Sequence, residues 1–252
     1  MTAETRESIE RADAVFFLAS DPIAYLWLPK LNKTAASLHI FYKPHRDRAR
    51  SYEAMVAQVL QHVRDGKRVC MVSYGHPGVL STPLHEAVRQ ARKEGFEATM
   101  QPGISAADCL FADLGVDPGL DGCLIYEATD FLVHKRPVSV TSALVLWQVG
   151  LVGEQSFKKT WKSWNPKGLR VLCTELAKHY GPDHEVVIYE AAHHAVTKPR
   201  MQRSRIRDLP RSGVGVLSTL YVPPLAYAKD DRAICRRLGI KTSPLKRNSG
   251  RA

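Results

Sequence analysis

An α/β fold with a mostly parallel first half is predicted by three features of the sequence. Apolar runs of strand length alternate with amphipathic stretches of helix length as far as about Val140. Between one such run, residues 68–72, and the helix-like stretch Thr82–Lys93 lies Tyr74-Gly75-His76-Pro77-Gly78, a turn of the kind that ends a strand and opens a helix. Beyond Val140 the remainder is rich in strand candidates, which predicts a mixed second sheet. No internal repeat is present.

Residues 5–13 read as a short amphipathic helix, and residues 14–19 as a compact strand halted at Ser20-Asp21-Pro22. Residues 23–31 are helical in period. Residues 38–42 form a second strand candidate, followed by a polar loop over 43–50. The next helix has Ser51 as its expected N-cap, apolar residues at Met55, Val56, Val59, Leu60 and Val63, and Asp65-Gly66 at its close. After the strand at 68–72, the two glycines of the pentapeptide let backbone approach a ligand, and Pro77 restrains the turn. The same residues also suit a tight βα connection built for packing alone. Gly95 caps the helix that follows, and residues 96–100 are a further strand.

At Ser105, with Asp108 three residues on, a capping box opens an apolar helix over 109–114. Amides at such a start serve capping, and they also suit a carboxylate or other polar ligand group. Strands follow at 123–126 and 144–148, and Gly150 and Gly153 mark a loop. Asn165-Pro166 starts a helix that runs to Tyr180, before Gly181-Pro182. Residues 185–189 and 216–222 complete the strands, the last stopped by Pro223-Pro224.

The 252 residues supply one large domain or two small ones, and 44% hydrophobic with 24% charged residues is an ordinary globular mix. No apolar stretch reaches membrane-spanning length, and residues 1–13 are too polar for a signal peptide. Cys70, Cys109, Cys123, Cys173 and Cys235 form no close pair, and three sit in apolar runs, the habit of buried free thiols in a reducing compartment. A cytoplasmic protein without membrane contact is therefore expected. No metal is expected either, because His193-His194, with His179 and His184 nearby, lack a Cys partner or helical spacing.

Charge is unevenly placed. Residues 198–252 hold 14 Lys/Arg against 3 Asp, whereas residues 1–197 balance at 22 of each sign. Such a block is a solvated tail or a docking surface for an acidic partner or nucleic acid. It lacks aromatic interleaving before Tyr221, which argues against RNA as a partner. Residues 229–252 are expected to be a disordered basic tail.

Three blocks in order, Tyr74-Gly75-His76-Pro77-Gly78, Gln101-Pro102-Gly103-Ile104-Ser105-Ala106 and Cys109-Leu110-Phe111-Ala112-Asp113-Leu114, resemble the tetrapyrrole methylase family. Those are S-adenosyl-L-methionine-dependent methyltransferases of two α/β lobes. Within the family the sequence is similar to the borosin-type peptide backbone α-N-methyltransferases. The matching stretches are Phe111 to Pro118, Tyr126 to Leu132, Trp147 to Gly150 and Ser218 to Pro224, and several blocks in order are more specific than any one. The resemblance implies an N-terminal lobe over 1–138 and a C-terminal lobe over 139–228. Against the family, the sequence begins at the helix after the first strand and glycine-rich turn, so either its start is taken too far downstream or the protein is a shortened relative without that strand.

Carried onto this sequence, the resemblance implies that S-adenosyl-L-methionine contacts Tyr74, His76, Val79 and Leu80 in the first turn and Ser105 in the second. Gln148, Ala192, Ser218 and Thr219 would line the rest of the site. Catalysis would fall on Tyr42, Arg48 and Tyr52. In that scheme the fixed charge of Arg48 favours the phenolate of Tyr52 or Tyr42 as base for an amide proton, while the other phenol donates to the developing oxyanion. Some relatives carry their substrate as a C-terminal extension, but nothing after Pro224 resembles a hydrophobic core peptide. A separate precursor peptide is therefore expected, and the resemblance implies a homodimeric enzyme. The alternatives are methylation of a tetrapyrrole or other small molecule on the same fold, and a non-catalytic relative that binds peptide or RNA.

Overall fold

The computed structural model describes residues 1–19, 21–43, 47–155, 158, 160, 162–163, 165–192, 194 and 196–241. The chain forms two compact units, Met1–Ser105 with Gln155–Lys159, and Ala106–Glu154 with Thr160–Ala252. The position 138/139 lies inside the second of these.

The first unit runs α1 (Ala3–Arg11), β1 (Ala14–Leu18), α2 (Ala24–Leu31), β2 (Ala36–Ser37), a 3-10 turn (Leu38–Phe41), α3 (Arg48–Arg64), β3 (Val69–Ser73) and α4 (Thr82–Lys93). Its sheet has the order β2-β1-β3, and both pairings are parallel. β1 is buried along its whole length because its side chains alternate between two covered faces. Ala14, Phe16 and Leu18 pack with Met55, Val56 and Val59 of α3 and Leu84 and Ala87 of α4. Val15 and Phe17 pack with Ile9 of α1 and with Ala24 and Leu28 of α2.

Three expectations are corrected in this unit. Residues 38–42 form no strand, because the Ser37 hydroxyl accepts from the His39 amide at 3.2 Å and turns the chain into a 3-10 coil. α3 starts at Arg48, not after Ser51. The Asp47 carboxylate accepts from the Ala49 amide at 2.7 Å and caps the helix, while Ser51 is buried inside it and donates to the Asp47 carbonyl at 3.4 Å. Residues 96–100 alternate in exposure as a strand does, with Phe96, Ala98 and Met100 on the α3–α4 cluster, but they join no ladder among the described residues. Ser20 and residues 44–46, parts of the expected strand stop and polar loop, lie outside the described residues.

The second unit runs α5 (Ala106–Leu114), α6 (Pro118–Asp121), β4 (Cys123–Glu127), α7 (Ala128–Val133), β5 (Ala143–Trp147), a 3-10 turn (Val149–Leu151) and α8 (Pro166–Tyr180). It continues with β6 (Glu185–Glu190), β7 (Arg200–Arg205), a second 3-10 turn (Ile206–Arg211), β8 (Thr219–Val222) and α9 (Arg232–Arg237). The sheet order is β4-β5-β8-β6-β7, with β4–β5 parallel and the remaining pairs antiparallel. Leu144 and Leu146 of β5 face a core that includes Phe131 of α7 and Leu172 and Leu176 of α8. Ala143 and Val145 face Leu110 of α5 with Tyr189 and Tyr221. The Tyr189 hydroxyl donates to the Asp113 carboxylate at 2.6 Å, which ties α5 to the sheet.

Of the strand expected at 216–222 only β8 pairs, since Ser218 donates its amide to Gly215 in a turn at 3.2 Å. The basic segment is more ordered than a tail. β7 is a polar edge strand, and α9 is a short helix whose N-cap Asp231 accepts from the Ala233 and Ile234 amides at 2.8 and 3.1 Å. Residues 242–252 of the expected tail lie outside the described residues. No described helix is long and apolar enough to cross a membrane.

Candidate functional site

In the first unit the structure brings Tyr42, Arg48 and Tyr52 together. The chain leaves the 3-10 turn at Tyr42, whose amide donates to the His39 carbonyl at 3.0 Å. Arg48 opens α3, and Tyr52 stands one helical turn later, so both share a face of that helix. The Tyr42 and Tyr52 rings meet edge to face at 6.3 Å and 80°. Burial, and then the neighbouring Tyr52 phenol, raise Tyr42 well above the usual tyrosine range, while the Arg48 charge pulls the other way. Tyr42 is thus held as a neutral hydroxyl with a cation within electrostatic reach.

Sequence reasoning missed what stands behind Tyr42. Its ring also meets His39 edge to face at 5.6 Å, and His39 Nδ1 is 3.1 Å from the Tyr25 hydroxyl. That hydroxyl is 2.9 Å from Ser37 Oγ. Burial lowers His39 from its ordinary value, so this aromatic stack stays uncharged at neutral pH. No local pattern announces it, because the 3-10 turn that gathers it occupies a run with strand-like composition. In front of Tyr52, α3 and α4 enclose an open groove of about 450 Å³ whose walls include Glu53, Glu86 and Gln90.

The pentapeptide turn follows β3 and is locked from within. His76 Nδ1 accepts from the Gly78 amide at 2.9 Å, which places the ring proton of a neutral His76 on Nε2. His85 Nε2 donates to the Gly78 carbonyl at 2.8 Å. Gly75 has a φ of +71°, and the second turn presses against it: a Cβ on Gly103 would fall 2.5 Å from the Gly75 carbonyl oxygen. Gly103 is therefore demanded by backbone contact between the two turns. Leu80 also takes a positive φ, +50°, and its side chain is 48% exposed, while Tyr74 is 65% exposed. Val79 donates its amide to the His76 carbonyl at 3.0 Å, and Ser105 is buried at the end of the second turn.

In the second unit the same device recurs. Gln148, just after β5, adopts the left-handed conformation at φ 57° and ψ 36°. A Cβ on Gly150 would fall 2.1 Å from the Gly215 carbonyl oxygen, so the loops after β5 and before β8 touch backbone to backbone. The Val149 amide donates to the Ser218 carbonyl at 3.3 Å. Ser218 is buried and its hydroxyl is fully used, accepting from the Gly215 amide at 2.9 Å and donating to Glu190 at 2.6 Å. Thr219 is buried in β8 opposite Tyr189, and Ala192 is exposed beyond the end of β6. Glu190 and its partner Arg200, which organise this loop, were also missed by sequence reasoning. Of the histidines, His184 Nε2 donates to the Pro223 carbonyl at 3.0 Å, and His193 lies outside the described residues. Among the described residues no group of three His, Cys, Asp or Glu side chains is placed to hold a metal.

Residues 1–209 match the family described as Tetrapyrrole (Corrin/Porphyrin) Methylases. The chain is 41% identical over 250 residues to a methyltransferase/ribosomally synthesized type I borosin cyclic peptide precursor of Coprinopsis marcescibilis, covering 96% of this chain and 64% of that protein. It is also 41% identical over 242 residues to the methyltransferase/ribosomally synthesized cyclic peptide omphalotin A precursor of Omphalotus olearius, covering 94% and 58%. The chain thus spans about three-fifths of the length of these relatives. Among solved structures it resembles a cobalt precorrin-4 methyltransferase, with a TM-score of 0.60 at 16% identity over 90% of each chain. Diphthine synthase gives a TM-score of 0.61 at 14% identity over 95% of this chain and 90% of that one. At such identities the structural likeness speaks for the fold alone.

Proposed function

This chain belongs to the tetrapyrrole (corrin/porphyrin) methylases, and from that premise we propose that it transfers methyl groups from S-adenosyl-L-methionine to backbone amide nitrogens of a ribosomally made peptide. The observation that carries the reading is the meeting of Tyr42, Tyr52 and Arg48 in one unit. Relatives at 41% identity whose names join a methyltransferase to a peptide precursor support it. They also disfavour a tetrapyrrole or other small molecule as acceptor.

The residues fit the cofactor. An adenosyl group needs apolar surface, which Tyr74 and Leu80 present at the first turn, with Val79 beside them. The amino-acid end needs polar groups; in the first unit, taken by itself, Ser105 is the candidate, and in the second, taken by itself, Gln148 is. Ser218, whose hydroxyl is already committed, would contribute through its backbone. When bound, S-adenosyl-L-methionine supplies an electrophilic methyl carbon on a sulfonium sulfur.

A backbone amide is a poor nucleophile, so the protein's task is the N–H proton. Tyr42, kept neutral by burial, is suited to donate its hydroxyl proton toward Tyr52. Arg48, one turn before Tyr52 on the same helix, is a permanent cation beside the pair. With Tyr42 as the neutral donor, Tyr52 is proposed as the base that takes the amide proton. The Arg48 guanidinium also offers donors to the amide oxygen as charge builds on it.

The peptide is read as a separate molecule, a reading tested below against methylation of the protein's own chain, since the relatives' names join methyltransferase and precursor. A cytoplasmic homodimer belongs to the same reading, and light scattering tests its dimeric part. The decisive assay incubates the protein with S-adenosyl-L-methionine and a candidate precursor peptide, then locates methylene-mass steps by fragmentation. Steps on backbone nitrogens of the added peptide are expected. Steps only on the protein's own chain would overturn the separate-substrate reading, and saturable cofactor binding with no methylated amide anywhere would overturn the peptide reading.

A further inference from the structure

We propose that Glu190 and Arg200 are positioning residues that hold the loop 212–218 in its cofactor-receiving shape, an inference that rests on the reading of Gln148, Ser218 and Thr219 as cofactor-site residues. The two are opposite each other in the register of β6 and β7, so the hairpin itself brings them together. Arg200 Nη1 donates to Glu190 Oε1 at 2.8 Å and to the Gly213 carbonyl at 3.0 Å, while Nη2 donates to the Ser212 carbonyl at 2.8 Å. Glu190 Oε1 accepts in turn from the Ser218 hydroxyl at 2.6 Å. One guanidinium therefore grips the start of the loop, and one carboxylate oxygen joins that grip to its end.

The loop so held is the one that lies against Gly150. With the Gly215 carbonyl oxygen only 2.1 Å from where a Cβ of Gly150 would stand, a small displacement of 212–218 must displace the backbone that carries Gln148. The Ser218 carbonyl, which accepts from the Val149 amide at 3.3 Å, makes the same link from the other side. A lysine cannot replace Arg200, because its four acceptors, Glu190, Ser212, Gly213 and Gln202, lie around a planar fork that a single ammonium does not reproduce. A glutamine can replace Glu190, since its amide oxygen still accepts from both Arg200 and Ser218.

The test titrates full-length protein with S-adenosylhomocysteine by calorimetry and measures KM for S-adenosyl-L-methionine and kcat in the methylation assay. Arg200→Lys and Glu190→Ala are expected to weaken cofactor affinity and raise KM by about tenfold to a hundredfold, as misplacement away from the chemistry does. Their kcat at saturating cofactor should stay within a few-fold of wild type, and Glu190→Gln should restore wild-type affinity. A lower melting temperature with unchanged affinity and KM in Arg200→Lys and Glu190→Ala would overturn the proposal and leave the two as a structural ion pair. If Glu190→Ala does not fold, Arg200→Lys against Glu190→Gln makes the same comparison. Failure of wild-type protein to bind S-adenosylhomocysteine would overturn the cofactor reading itself, whereas equal binding by wild type and variants overturns only the positioning role.

Discussion

The two units build their sheets differently. In the first, one fully buried strand, β1, is flanked by the two-residue β2 and by β3, whose five residues are all half-buried. In the second, β5 and β8 are almost wholly buried and sit inside a five-stranded sheet. Yet both units solve the same local problem in the same way, by pressing one turn onto another through a glycine that leaves no room for a Cβ. The residues proposed for proton transfer all lie in the unit with the three-stranded sheet. The loops held by a dense polar network lie in the other.

That contrast predicts unequal consequences. The largest concerns Arg48→Ala, which should lower kcat by about a hundredfold or more. Calorimetry should show cofactor affinity unchanged in the same variant. A wild-type kcat in Arg48→Ala would remove the chemistry from this unit.

Next come the glycines. Gly150→Ala and Gly103→Ala should each destabilise by about 1–3 kcal/mol, as forced overpacking does. Gly150→Ala should be the worse, given approaches of 2.1 Å and 2.5 Å to carbonyl oxygens. Urea midpoints at constant m would measure both, and an equal or reversed order would show that the second unit yields more easily than its packing suggests.

Hydrogen exchange sharpens the comparison further. Backbone amides of β3, which has one neighbour among the described residues, should exchange faster than those of β5 and β8. Equal protection would mean that the edge of β3 is covered.

The smallest effect concerns Tyr180, whose ring is buried and stacks on His184 while its hydroxyl has no hydrogen-bond partner among the described residues. Burial pushes this phenol up to about 12 from 10.0. A folded-state value above the unfolded one stabilises below the unfolded value, and that contribution fades as pH rises from about 10 toward 12. Tyr180→Phe should therefore be neutral or stabilising by about 1 kcal/mol at pH 7. It should also flatten the loss of melting temperature above pH 10, where Tyr221, raised by burial to about 12, continues to contribute.

Much of the fold was legible where a segment carries its own signals. Thr82–Lys93 and Pro166–Tyr180 match their expected bounds, because each joins a helical period to a proline in its first turn and a glycine after its end. What stayed hidden depends on partners far along the chain. Residues 38–42 have strand composition but obey a serine at their start, and residues 96–100 have strand alternation but no ladder. β7 carries Arg, Gln and Ser where a strand signal needs apolar alternation. For the same reason the Glu190–Arg200 pair could not be read, since only the hairpin register reveals it. Tyr42 and Tyr52 could be named from resemblance, but their edge-to-face contact is a property of the folded first unit.

The most direct test compares wild type with Tyr52→Phe by fragment mass spectrometry of a peptide incubated with S-adenosyl-L-methionine, alongside calorimetry of cofactor binding. The account predicts methyl groups on backbone nitrogens with wild type, none above background with Tyr52→Phe, and equal cofactor affinity for both. Wild-type methylation by Tyr52→Phe would contradict it.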